Sequence, residues 1–217
     1  MSIKKSAFSL SETLLTLTII GVIAALTIPG LKEYSDEQQY VAAAKKAYTV
    51  AQSATMMVET KYGDLRWWPW SNTEEVKNRY MAVLNTMPMS GDAYTYKSFG
   101  SSGGSGTINN TNWFQTTDGM IWRVAQAESS GASAVGTIYI DTNGAASPNV
   151  IGVDLMAFLV TNDGVYPIST GEWSCTNYVI AYGKMPWLTD SSYSSCPADN
   201  SAENPGSGQA DTGESTN

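Results

Sequence analysis

The chain contains no histidine, so its 217 residues lack the commonest general base and the commonest nitrogen ligand for zinc. It has two cysteines, Cys175 and Cys196, which without histidine leave a zinc site short of ligands. No G-x-S-x-G, phosphate loop or H-E-x-x-H motif occurs. Carboxylates are numerous but no sequence feature pairs them, so enzymatic activity is not expected. Bases are scarce, 12 Lys and Arg against 20 Asp and Glu, for a net charge of −8. No extended basic segment is present, which excludes nucleic acid as a general ligand of the isolated subunit. The acidic balance favours solubility of whatever part is exposed.

Charge is most conspicuously missing from the N-terminal region. Between Phe8 and Leu31 the only charged residue is Glu12. Roughly 20 apolar residues at about 1.5 Å rise span a hydrocarbon core of about 30 Å. A carboxylate inside such a span costs about 2.5–3.5 kcal/mol, so a chain that keeps one there is expected to have a partner for it. Lys4 and Lys5 precede the run and orient the N-terminus toward the cytoplasm, with the remainder outside. A cleaved secretory signal has a shorter apolar region, about 7–15 residues, followed by a small-x-small site, and Ile28-Pro29-Gly30 makes a poor one. A plain single-span anchor explains the length but not Glu12 beside Phe8.

Lys4-Lys5-Ser6-Ala7, then Phe8-Ser9-Leu10-Ser11-Glu12 and an apolar helix carrying Gly21 and Pro29, resembles the class III signal of type IV prepilins and type II secretion pseudopilins. The detailed match covers about the first 60 residues. The family usually has Gly before the cut where this chain has Ala7, and Thr-Leu-Ile where it has Ser9-Leu10-Ser11. The resemblance implies that prepilin peptidase cuts between Ala7 and Phe8 and that the new amine of Phe8 is methylated. Removing Lys4 and Lys5 would take the charge from −8 to −10, before the new amine is counted. Glu12 becomes the fifth mature residue, and its implied role is to pair with the Phe8 amine of a neighbouring subunit and set an axial offset. A Glu hydrated at headgroup level is the alternative. Gly21 and Pro29 bracket a segment that either unwinds when the helix enters a filament core or forms a static kink; the residues are compatible with both.

Residues 8 to about 62 read as one long helix, broken or kinked near Pro29-Gly30. Val41, Ala44, Tyr48, Ala51, Thr55, Val58 and Tyr62 recur at three- and four-residue spacing, one stripe of an amphipathic helix, with Lys45, Lys46, Gln52 and Glu59 off it. Gly63-Asp64 stops the helix. An irregular connection follows, with a short helix around residues 74–85. It holds Trp67, Trp68 and Trp70, read as core packing of the loop, with a binding platform or membrane-interface belt as alternatives. Residues 101–106 read as a flexible Gly/Ser link. Segments 112–117 and 120–126 flank Asp118-Gly119 as a hairpin, 135–141 is a further strand, and 156–161 with 165–168 flank Asn162-Asp163-Gly164 as a second hairpin. From Gly171 the chain reads as loop-rich.

These elements predict an α+β fold, a long N-terminal helix, transmembrane in its first half, packed on an antiparallel sheet of 4–5 strands, in the pilin-like arrangement. The expected divisions are a leader at 1–7, a membrane or filament-core helix at 8–31, an extracytoplasmic head at 32–196 and an acidic tail at 197–217, too polar to order itself. An even cysteine count in an exported chain reads as one disulfide, Cys175–Cys196, with free thiols or a metal pair as alternatives. The segment Asp141-Thr142-Asn143-Gly144, with Pro148-Asn149, Gly152 and Asp154, is similar to a turn in some pilin-like proteins. Some pseudopilins bind Ca²⁺, so Asp141, Asn143 and Asp154 are candidate ligands. They fall short of the six to eight oxygens calcium takes, and an Asx-type turn with Gly144 at positive φ is the simpler reading. No other cofactor is expected. The resemblance implies a single-pass cytoplasmic-membrane protein that becomes a periplasmic or cell-surface filament. Its implied partners are copies of itself, prepilin peptidase, an assembly platform and an ATPase. The competing reading is a membrane-tethered extracytoplasmic binding module that never polymerises.

Overall fold

The computed structural model describes residues 9–89, 92–99, 104–127, 134–190, 193, 195 and 196. The expected cut at Ala7-Phe8 and the acidic tail lie outside the described residues. Helix α1 (Leu10–Tyr62) begins at Ser9 in an extended conformation and ends at Gly63, whose φ of +87° suits glycine and whose N–H donates to the Glu59 carbonyl at 2.8 Å. It stays helical through Pro29, where a break or kink was expected, so the break is corrected. Proline removes only one intrahelical hydrogen bond, that to the Ala25 carbonyl, and the residues on either side carry the helix on.

After a 3-10 turn at Leu65–Trp67 come α2 (Thr73–Met81), β1 (Thr86–Met87), β2 (Tyr94–Lys97), β3 (Ser105–Ile108), β4 (Phe114–Thr116), β5 (Ile121–Gln126), β6 (Ala134–Asp141), β7 (Leu155–Thr161), β8 (Gly164–Pro167) and α3 (Ser174–Tyr182). The main sheet has six strands, in order β1-β4-β5-β6-β7-β8, every neighbouring pair antiparallel, and β2–β3 form a separate ribbon. The α+β class stands; the expected 4–5 strands are corrected to six plus the ribbon. Strand β1 has two residues, too few to carry an alternation. Strand β3 begins inside the stretch read as a flexible link. Its Gly106 lies opposite Tyr96, whose ring occupies the space a Cβ would need. Helix α3 falls in the stretch read as loop and closes on Gly183 at φ +63°.

The sheet is buried on both faces. On one, Val41, Ala44, Ala47, Ala51, Ala54 and Val58 of α1 lie against Trp122, Val124, Ile138, Met156 and Phe158. Four of the six helix residues are alanines, so α1 approaches the strands closely. On the other face Ile121, Ala125, Tyr139, Leu155 and Ala157 pack with Ile108, Trp113 and the ribbon tyrosines. Tyr139, which alternates with Ile138 and Ile140, is therefore only 7% exposed. Trp68 and Trp70 stack at 5.8 Å and donate their indole N–H groups to the carbonyls of Gly63 and Leu65, consistent with the core reading. Trp67 departs from it and is 84% exposed.

Candidate functional site

Two groups of sequence-selected residues carry chemistry, at opposite ends of the argument: the start of α1, and the Asp141–Asp154 turn.

Every Leu, Ile and Val from Leu10 to Leu31 is at least 50% exposed. This is one helix long and apolar enough to cross a membrane. Its polar side chains are folded back. The hydroxyls of Thr13, Thr16, Thr18 and Thr27 donate to the carbonyls of Ser9, Thr13, Leu14 and Ile23, at 2.8–3.3 Å, and Ser11 bonds the Ser9 hydroxyl at 2.9 Å. Such back-bonding satisfies donors that hydrocarbon cannot. Glu12 closes a reciprocal cap: its carboxylate accepts from the Ser9 N–H at 3.0 Å, while its own N–H donates to the Ser9 hydroxyl at 3.3 Å. The signal was legible as Ser-x-x-Glu, the capping-box spacing. Glu12 therefore has a partner within its own helix. Gly21 stands on the same bare surface, with nothing within 4 Å of where a Cβ would be. Glu12, Gly21 and Pro29 are strung along the helix, about 25 Å from first to last, and form no cluster.

The second group converges. Asp141, at the end of β6, and Asp154, just before β7, are both fully buried. The Asn143 N–H reaches Asp141 Oδ1 at 3.2 Å, and Gly144 follows at φ +68°, which together make the expected Asx turn. The Tyr94 hydroxyl from the ribbon donates to Asp141 Oδ2 at 2.7 Å. Asp154 accepts from the N–H groups of Asn149 and Val150, both at 2.7 Å. Burial, then the nearby Asp154 charge, pushes the Asp141 carboxyl up to about 7, against the pull of the Tyr94 hydroxyl and the turn N–H groups. Burial also raises Asp154, while its two strong N–H donors oppose the rise. Tyr94 is raised by burial and then by the Asp141 charge.

All four carboxylate oxygens of this pair thus face protein donors, while Asn143 Oδ1 and Thr142 Oγ1 of the same turn are buried without a partner. Among the described residues no group of three or more His, Cys, Asp or Glu is placed to hold a metal. Asp141, Asn143 and Asp154 alone offer fewer oxygens than the six to eight calcium takes, and each carboxylate oxygen already accepts one protein hydrogen bond. The turn is a hydrogen-bonded clasp. Lys97 of the ribbon joins it at Asn149 and Ile151, by backbone bonds of 3.0 and 2.8 Å.

The cysteines belong to the same structure. Cys175 in α3 is bonded to Cys196, with their Cα atoms 4.9 Å apart. Gly152, at φ +83°, lies directly beneath: a Cβ there would come within 2.5 Å of Cys175 Cβ. The disulfide therefore bears on the clasp, a juxtaposition across 23 residues that spacing alone did not reveal.

No family model, curated protein or solved structure matches the chain.

Proposed function

We propose that the chain is a subunit of a type IV pilus or pseudopilus. It would be held in the cytoplasmic membrane by the first half of α1 and then packed through that half into a filament. The observation that carries this reading is the bare apolar surface of residues 10–31 on a helix whose continuation is the core of the head. A membrane half and a head half joined in one continuous helix would let a subunit leave lipid and join a helical core with its head folded. Apolar helices exchange lipid contacts for packing against their like at modest cost. Processing between Ala7 and Phe8 by prepilin peptidase, and assembly by a platform and ATPase, follow from the leader resemblance. The cut lies upstream of Ser9, so the Ser9–Glu12 cap would survive it.

The test places a cysteine at Ile20, in membranes of cells that carry the secretion or pilus machinery. Oxidative cross-linking is expected to give a ladder of multimers. Glu12→Gln in the same chain keeps the cap, since glutamine serves at that position, but removes the charge. It is expected to leave a processed, inserted protein and abolish the ladder, because a neighbour's ammonium would lose its counter-ion in a low-dielectric layer. A monomer band from the Ile20→Cys chain with Glu12 intact would favour the tethered module. An undiminished ladder with Glu12→Gln would remove the salt-bridge mechanism.

A further inference from the structure

The chain has three arginines. Arg66 pairs with Asp64 and Arg79 with Glu75. Arg123, half-buried on β5, forms no salt bridge among the described residues. Its guanidinium lies over the Tyr139 ring, 5.3 Å from the centroid. Stacking of this kind fixes the plane of the fork and leaves its N–H edges free to meet an anion. A partly desolvated cation without a counter-ion is costly unless something brings one.

Arg123 borders a cleft of about 510 Å³ between the first turn of α2, the loop at 110–112 and β5. The cleft exists because β4 pairs with β5 only at Ile121 and Trp122, whereas β6 pairs with β5 out to Gln126. The loop before β4 is held aside by an Asx turn, with the Thr111 N–H on Asn109 Oδ1 at 3.1 Å, and by Trp113 buried in the back core. Lys77 supplies a second cation, steadied by a 2.9 Å bond to the Thr111 carbonyl. Glu74 is the only acid among the described residues of the wall, which carry a net positive charge on a chain of net −8. Thr73, Asn110 and Asn112 add hydroxyl and amide groups, and Val124 is the only aliphatic residue among the described lining.

We infer that this cleft binds a sugar acid, a hydroxylated ligand carrying one carboxylate, taken either as a free uronate or as a residue of an acidic polysaccharide. Arg123 would take the carboxylate through its fork, Lys77 would supply the second charge, and the amides and hydroxyls would meet the ring hydroxyls. The wall offers no apolar shelf for a nucleobase or an acyl chain, and a neutral sugar would leave Arg123 without a counter-ion. The volume falls within the roughly 300–1,000 Å³ usual for small-ligand sites. This inference does not depend on filament formation.

The test titrates galacturonate, trigalacturonate, neutral galactotriose and inorganic phosphate into the full chain in lipid nanodiscs. The expected result is saturable binding of galacturonate or trigalacturonate that weakens as salt is raised, with little binding of galactotriose. Equal affinity per site for the monomer and trimer assigns the site to a single sugar acid; a tighter trimer assigns it to a polysaccharide. Arg123→Gln and Lys77→Gln are each expected to weaken binding about tenfold, the loss of one charge-assisted contact, with Lys184→Gln as the unaffected control. Lys77 lies on a helix surface, so its variant stays informative if Arg123→Gln disturbs the sheet. Galactotriose binding as tightly as trigalacturonate, phosphate binding as tightly as either uronate, no binding at all, or both variants leaving affinity unchanged would overturn the inference.

Discussion

Residues 10–31 and residues 41–58 belong to one helix, and they solve opposite problems. In the first segment every large aliphatic side chain faces outward and every threonine hydroxyl turns inward onto the backbone. In the second, the apolar stripe faces the sheet, while Lys45, Lys46 and Thr49 are exposed. One helix thus carries an exposed apolar half and a half whose apolar stripe is buried. The head segment carries its own apolar partner, because α2, α3 and the strands fold back onto it. The N-terminal segment has none among the described residues, and it is long and apolar enough to cross a membrane. Alanine marks the difference: in the head segment Ala44, Ala47, Ala51 and Ala54 are buried and allow close approach, whereas Leu and Ile dominate the membrane segment.

A matched pair of substitutions breaks this comparison most sharply. Val58→Asp puts an unpaired carboxylate into the head core and is expected to cost about 3–5 kcal/mol, enough to unfold much of the head. Val22→Asp is expected to leave the head folded and to cost about 2.5–3.5 kcal/mol of insertion instead. Protease resistance of the head and carbonate extraction of membranes read the two outcomes separately. If Val22→Asp unfolded the head, the two halves would not be energetically independent.

Replacing both Cys175 and Cys196 by serine tests the head alone. The chain-entropy model gives a loss of about 3 kcal/mol for this loop, a fall in thermal midpoint of about 6–12 °C for a domain of this size. The clasp should loosen with it, since Gly152 bears on Cys175. Faster amide exchange is therefore expected at Asn149 and Val150, and unchanged exchange there would separate the disulfide from the clasp.

The head is also expected to respond to pH. The folded pKa of Asp141 is raised to about 7, above the unfolded value near 3.9, so the native state binds more protons between those values. Stability is therefore expected to rise as pH falls through that window, by about 1 kcal/mol from pH 7 to 6. Burial raises Asp154 as well, in the same sense, and below about pH 4 the lowered Asp64 and Asp118 act in the opposite one. Denaturant melts of the chain and of Asp141→Asn across pH 5–7.5 check this; a variant with the same slope would assign the proton elsewhere.

The smallest expected effect is at the start of α1. Ser9→Ala removes one side of the capping box and should cost about 1 kcal/mol of local helix stability. Fraying of the first turn by amide exchange, with no change in the head, is the expected sign.

Much of this was readable from local signals. The capping spacing at Ser9 and Glu12, the stop at Gly63, the stripe from Val41 to Val58 and the turns at Asp118-Gly119 and Asn162-Asp163-Gly164 each lie within a few residues of what they specify, and the elements form there. The strand β3 was missed because its glycine and serines mimic a linker; only Tyr96 across the ribbon makes Gly106 fit. Helix α3 was missed because nine residues carry little periodicity on their own. Trp67 and Trp68 are adjacent and equally apolar, yet one is exposed and one is core, since the turn after α1 directs them oppositely.

By itself, the sequence determined the long two-part helix, the two hairpins and the conditions for a disulfide, because propensity, periodicity and turn chemistry act over short distances. Only the tertiary structure decided that the sheet is buried on both faces, that Asp141 and Asp154 share one clasp beneath Cys175–Cys196, and that Arg123 opens onto a polar cleft. Those features arise where segments tens of residues apart meet, and the energy of such a meeting, in desolvation and close packing, belongs to no single stretch of the chain.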